Sequence, residues 1–108
     1  MKNYNVKIRL DGIGTDDIKT ANKNNISMPN NLIFNLNNGT RYKAGILDFK
    51  ITKKNSAKHY IEIDISTSVD DKVYSNFNSE SDEGDWVDIS ILKLKINRTD
   101  YTENYICI

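Results

Sequence analysis

Cysteine is almost missing from this 108-residue chain: Cys107 stands alone, so no disulfide framework is available. With a single histidine, His59, it cannot supply a standard zinc ligand set either. No run approaches the roughly 20 consecutive apolar residues that a spanning helix needs. No self-similarity appears at a period of about 20–50 residues, so a repeat array is excluded. The opening residues Met1-Lys2-Asn3-Tyr4-Asn5 carry no apolar h-region, which makes a cytoplasmic location the expectation and leaves little meaning in the sequons at Asn25, Asn38 and Asn97. One unpaired thiol agrees with a reducing compartment. Net charge is absent as well, since fifteen Lys and Arg face fifteen Asp and Glu. Strong helix formers are scarce, with three Ala, four Glu and no Gln.

What is present is strand-forming. Ile, Val, Thr, Tyr, Phe and Trp make up 36 of the 108 residues. Fifteen Asn, fifteen Ile and twelve Lys are the residues of AT-rich codons, which points to an AT-rich bacterial or phage genome and makes Asn-based motifs common by chance. The length fits one domain, residues 1–108.

Periodicity places the strands. Tyr4, Val6, Ile8 and Leu10 alternate with Asn5, Lys7 and Arg9, the pattern of a half-buried strand. Thr15 reads as the N-cap of a short helix over 16–23, with Asp16 and Asp17 in its first turn and only Ile18 and Ala21 as an apolar stripe. Residues 24–31 read as loop, and 32–36 as a short strand. Asn38-Gly39 suits the positive φ of a type I′ hairpin turn. Over 41–53 the apolar set changes phase, from Tyr42, Ala44 and Ile46 to Leu47, Phe49 and Ile51, which with Gly45 beside the switch predicts a β-bulge there. His59, Ile61, Ile63, Ile65, Thr67 and Val69 form one face of the next strand. Residues 86–96 read as one strand with a second phase change, and 101–108 as a terminal strand with Ile106 and Ile108 on its apolar face. The fold expected is all-β, mostly antiparallel, with about six strands and one short helix, closed as a small bulged barrel or stacked as a β-sandwich.

Formal neutrality hides a segregation of charge. Residues 70–88 hold seven acids (Asp70, Asp71, Glu80, Asp82, Glu83, Asp85, Asp88) and one base, for −6; residues 41–58 hold six bases (Arg41, Lys43, Lys50, Lys53, Lys54, Lys58) and one acid, for +5. Opposed patches on a small body steer charged partners. Tyr74, Phe77 and Trp86 bracket the acidic stretch and give it aromatic anchors.

Other chemistries are weaker. Asp82, Glu83, Asp85 and Asp88 cluster oxygens around Gly84, but the EF-hand spacing is absent. Asp11-Gly12-Ile13-Gly14-Thr15-Asp16-Asp17-Ile18-Lys19 resembles one copy of the Gly-rich nonapeptide of calcium-binding β-rolls, with Asp11 in place of the first Gly. Those rolls stack many copies, and a turn plus helix cap explains the segment better. Cys107 is too near the terminus for a preorganised nucleophile paired with His59. Asp48-Phe49-Lys50 matches only the last part of a metal-nuclease constellation, and Glu62, Asp64 and Asp88 read as outward acids on a half-exposed sheet. No catalytic residue, cofactor or metal is assigned.

The leading expectation is a small non-enzymatic module that occludes a basic partner-protein surface with Asp70, Asp71, Tyr74, Phe77, Glu80, Asp82, Glu83, Asp85, Trp86 and Asp88. Carboxylates placed where phosphates would sit suit an inhibitor of a host nuclease or defence protein, of anti-CRISPR kind, from a phage or mobile element. The alternative is a single-stranded nucleic-acid-binding small barrel using Arg41, Tyr42, Lys43, Lys50, Lys53, Lys54, Lys58 and Tyr60, against which the zero net charge argues. A third reading is a structural subunit of a phage or secretion particle, assembling through its terminal edge strand.

Overall fold

The computed structural model describes residues 2–36, 39–71, 86–91, 93–103 and 105–107. Along the chain run β1 (Lys2–Asp11), α1 (Thr15–Thr20), β2 (Ile26–Ser27), β3 (Asn31–Leu36), β4 (Arg41–Asn55), β5 (Tyr60–Val69), β6 (Trp86–Ile91), β7 (Lys95–Ile96), β8 (Thr99–Asp100) and β9 (Tyr105–Cys107). Six strands in the order β6-β3-β4-β5-β1-β9 form an antiparallel sheet that curls into a nearly closed barrel, so of the two expected closures it is the barrel that forms. A small sheet, β2-β7-β8, adds Ile26 and Ile96 to the same core.

β1 and β5 are the regular centre. Their register runs without a break from Lys2↔Val69 to Asp11↔Tyr60. This brings the inward sets together: Val6, Ile8 and Leu10 from one strand, and Ile61, Ile63, Ile65 and Val69 from the other, are all buried. Thr67 is buried among them, and its hydroxyl donates to the Tyr4 carbonyl at 2.7 Å, which removes the cost of an unpaired polar group. Across the barrel Phe34 is fully buried and meets Tyr4 edge-on, 5.9 Å between centroids.

β4 bends around this centre through two bulges. The first inserts Leu47 between the pairs Ile46↔Thr67 and Asp48↔Ser66, and the second inserts Thr52 between Ile51↔Ile63 and Lys53↔Glu62. The phase change expected after Ile46 is real, and the extra residue is Leu47 itself. Leu47 therefore leaves the core face it was assigned to and is 56% exposed. The second bulge falls among Thr52, Lys53 and Lys54, where no apolar residue marks the phase.

Other local expectations are corrected by hydrogen bonding. Gly14, not Thr15, is the helix N-cap, and α1 stops at Thr20 rather than running on to residue 23. Asn side chains end it: Asn22 Nδ2 and Asn25 Nδ2 both donate to the Thr20 carbonyl, which competes with further helical bonds. The segment 24–31 contains β2, because Ile26 pairs with Ile96. In the β3–β4 hairpin, Gly39 N donates to Leu36 O and Leu36 N donates to Thr40 O, a three-residue connection with Gly39 at φ 87°, not a two-residue type I′ turn. His59 does not lie on the β5 face. It sits in the preceding turn at φ 57°. The single strand expected over 86–96 is broken at Lys93, φ 61°, which sends β7 into the second sheet. In β9 the faces are reversed: Leu10↔Tyr105 and Ile8↔Cys107 align Tyr105 and Cys107 with the inward residues of β1, and Ile106 is turned out at 44% exposure. Register, with its period of two, overrides the hydrophobicity of a single Ile.

Candidate functional site

Two surfaces of opposite sign stand out on the barrel. The first is the seam between the edge strands β6 and β9. Here the gap is crossed by side chains: the Tyr105 hydroxyl donates to the Ile89 carbonyl. Asp88, Ser90, Ile91, Thr102, Glu103, Tyr105, Ile106 and Cys107 line a cleft of about 540 Å3 along the seam. Asp88 and Glu103 are exposed, and no base is among these lining residues. Burial pushes the Tyr105 hydroxyl and the Cys107 thiol above their ordinary values, and the Asp88 carboxylate pushes both the same way. Both groups are therefore held protonated at neutral pH.

Of the acidic contact expected from the sequence, Asp88 falls on this seam, with its Oδ1 accepting from the Ile89 amide at 2.7 Å. Trp86 opens β6 opposite Leu36. Asp70 and Asp71 are exposed just beyond β5, and the Asp70 amide donates to the Tyr42 hydroxyl at 3.1 Å. Tyr74, Phe77, Glu80, Asp82, Glu83 and Asp85 lie outside the described residues. Glu103 and Tyr105, from the last connection and strand, belong to the seam but were not singled out in the sequence. Only the strand order, which brings β9 round to β6, places them beside Asp88.

The second surface is basic, and it splits the run of bases read from the sequence into two ends. Arg41 and Lys43 are exposed at the β3 end of β4, where Tyr42 is half-buried against the core. Lys50, Lys53 and Lys54 are exposed at the far end, and Lys58 is exposed in the turn before β5. Lys23, Lys50, Lys53 and Lys54 line one groove of about 410 Å3 with Ala21, Asn22, Ile51 and Thr52. Lys23 reaches it from the segment after α1; its ammonium donates to Asp48 and lies 5.7 Å from the Phe49 ring centroid. That contact holds the Asp48 carboxyl below its usual value.

On the outer face, register aligns bases and acids in rows across three strands. Lys50 and Lys7 flank Asp64, while Lys53 and Arg9 flank Glu62. Tyr60 stands at the end of these rows. The Arg9 guanidinium lies over its ring at 5.4 Å from the centroid. Lys53 approaches at 5.8 Å. Lys53, with Asn55, draws the Tyr60 hydroxyl below its usual value. Lys23 and Arg9 also escaped the sequence reading. Arg9 is one of the ordinary outward residues of β1, and Lys23 sits in a polar stretch without pattern.

The remaining chemistry-bearing residues make contacts within the fold. In the nonapeptide, Asp11 pairs with Arg9 at 3.2 Å and Asp17 turns to Tyr101 and Asn97: its Oδ2 accepts from the Tyr101 hydroxyl at 2.5 Å and its Oδ1 from Asn97 Nδ2 at 2.9 Å. The Tyr101 bond, with that of Asn97, lowers the Asp17 pKa; burial and this bond raise that of Tyr101. The Gly14 amide donates to the same Tyr101 oxygen at 3.3 Å, so one phenol ties the start of α1 to the β7–β8 side of the molecule. His59 Nδ1 lies 3.3 Å from the Ile13 carbonyl, whereas Cys107 is paired beside Ile8 on β1, and the two are not brought together. Among the described residues no three His, Cys, Asp or Glu are grouped to hold a metal ion. No protein-family model matches the chain, and neither a curated protein nor a solved structure is detectably similar to it.

Proposed function

We propose that the chain is a non-enzymatic binding module that acts by occupying the surface of a partner protein, with the acidic edge at β6 and β9 as part of the contact. One observation carries this reading: Asp88 and Glu103 are exposed at a cleft of about 540 Å3 whose described lining contains no base. Edge strands are where sheets accept partners. Exposed carboxylates beside such an edge select a basic surface, such as the phosphate-binding groove of a nuclease, and an inhibitor of such an enzyme is the form this function takes.

The test is affinity capture from a host lysate with the wild-type chain and the double variant Asp88→Lys/Glu103→Lys, each at low and high salt, read by mass spectrometry. The expected result is a protein retained by wild type at low salt, released as salt screens the contact, and not retained by the variant. Retention of the same proteins by both chains refutes the acidic contact.

A further inference from the structure

The basic groove carries a second inference, independent of the protein partner proposed above. It begins with the bulge at Thr52. In an unbulged strand, residues 50 and 53 point to opposite faces, because side chains alternate. The extra residue changes that: Lys50 pairs with Asp64 and Lys53 with Glu62, and those acids are two apart on β5 and share its outer face. The bulge thus sets Lys50 and Lys53 as neighbours, about 7 Å apart along the strand direction, on the face that also presents Tyr60. Lys54, opposite Ile61 in register, alternates to the other side of the strand but lines the same groove, as does Lys23 from the segment after α1.

Charge and shape then decide the ligand. None of the residues lining the groove is a carboxylate. On the outer face Asp11, Asp48, Glu62 and Asp64 balance Lys7, Arg9, Lys50 and Lys53, so the excess of positive charge lies in the groove itself, where Lys23 and Lys54 join Lys50 and Lys53. Tyr60 adds a flat aromatic surface flanked by the Arg9 guanidinium and the Lys53 ammonium. Regularly spaced cations beside an aromatic ring stacked on an arginine match an alternating ligand, anionic along its backbone and planar along its side. We infer that this face binds single-stranded nucleic acid, with Lys50, Lys53 and Lys54 on consecutive phosphates and Tyr60, supported by Arg9, under a base. A duplex keeps its bases stacked inside and cannot use the ring.

Fluorescence anisotropy with a labelled oligothymidylate of about 12 nucleotides tests this, a length within the range that single small barrels cover. Wild type is expected to bind at low salt with a log–log salt slope near −2, from three lysines at about 0.7 each. Lys50→Ala/Lys53→Ala/Lys54→Ala should weaken binding at least about tenfold and bring the slope near zero. Arg41→Ala/Lys43→Ala, at the other end of β4, should change affinity by less than about twofold. Tyr60→Leu should weaken binding about fivefold or more with the slope unchanged, which a merely structural or merely electrostatic role would not produce. Circular dichroism melts confirm that each variant is folded. The inference is overturned if the triple variant binds like wild type, if the Arg41/Lys43 variant loses as much as the triple one, or if a matched duplex or inorganic polyphosphate binds as tightly as the oligothymidylate.

Discussion

Replacing Tyr105 by Phe removes one oxygen from the seam and leaves the ring in place. The hydroxyl donates to the Ile89 carbonyl, and Ile89 is fully buried, so water does not readily replace the lost donor. The net worth of such a bond is about 1 kcal/mol, and an unsatisfied buried acceptor costs about 1–3 kcal/mol, so about 2 kcal/mol is the expected loss. With an unfolding entropy near 2.1 cal/mol/K per residue, this lowers the melting temperature of a chain of this length by about 9 °C. The pH dependence gives a second signature. The folded-state pKa of Tyr105 is raised above its ordinary 10.0, chiefly by burial. The associated stability is fully present below 10.0 and is lost as pH rises through the higher folded value. Tyr105→Phe lacks this group, so the gap between the two proteins should be constant across neutral pH and narrow in strong alkali. Thermal melts followed by circular dichroism at neutral and alkaline pH are the assay. A fall of less than about 2 °C at neutral pH, equivalent to under about 0.5 kcal/mol, would refute the idea that the phenol closes the barrel.

Two further perturbations separate other parts of the argument. Asp17→Asn should flatten the acid limb of stability: the wild-type carboxyl has a lowered pKa through Tyr101 and Asn97, so its contribution is present above 3.8 and is lost as pH falls through the lower folded value. Urea titrations from neutral pH into the acid range check this, and parallel pH profiles of the two proteins would contradict it. Leu47→Ser, at an exposed bulge, should change stability by less than about 0.5 kcal/mol, whereas Ile63→Ala, in the core, should cost about 3 kcal/mol. Urea midpoints distinguish the two, and a large loss at Leu47 would show that it has an apolar partner.

Much of the barrel is legible from residue order because isolated strands announce their faces. Tyr4 to Leu10 and Ile61 to Val69 alternate cleanly, and the structure buries the sets the alternation names, save Tyr4, which is partly buried against the core. Failures cluster where a face is set by a neighbour. Ile106 is as apolar as any core residue, yet pairing with β1 turns it outward. Leu47 and Phe49 look alike in a window of sequence, and only the Ile46/Asp48 register shift tells which one leaves the core. Asn22 and Asn25 shorten α1 through side-chain bonds that propensity does not encode. The candidate surfaces follow the same rule. The sign of each charged stretch is visible in composition, but Glu103 joins Asp88, and Lys23 joins Lys50, only through the order of strands and the path of the chain after α1.

Isoleucine dominates the fully buried interior, at Ile8, Ile61, Ile63, Ile65, Ile89 and Ile96. Branching at the β carbon already restricts rotation about the first side-chain bond before the chain folds. Locking such residues together forfeits little rotamer freedom, roughly 0.5–1 kcal/mol each against about 1.5–2 for long flexible chains. A narrow barrel assembled from stiff wedges thus trades tolerance for definition: shortening one to valine keeps its shape, whereas leucine, of equal volume, puts its branch where the neighbours have no hollow to receive it.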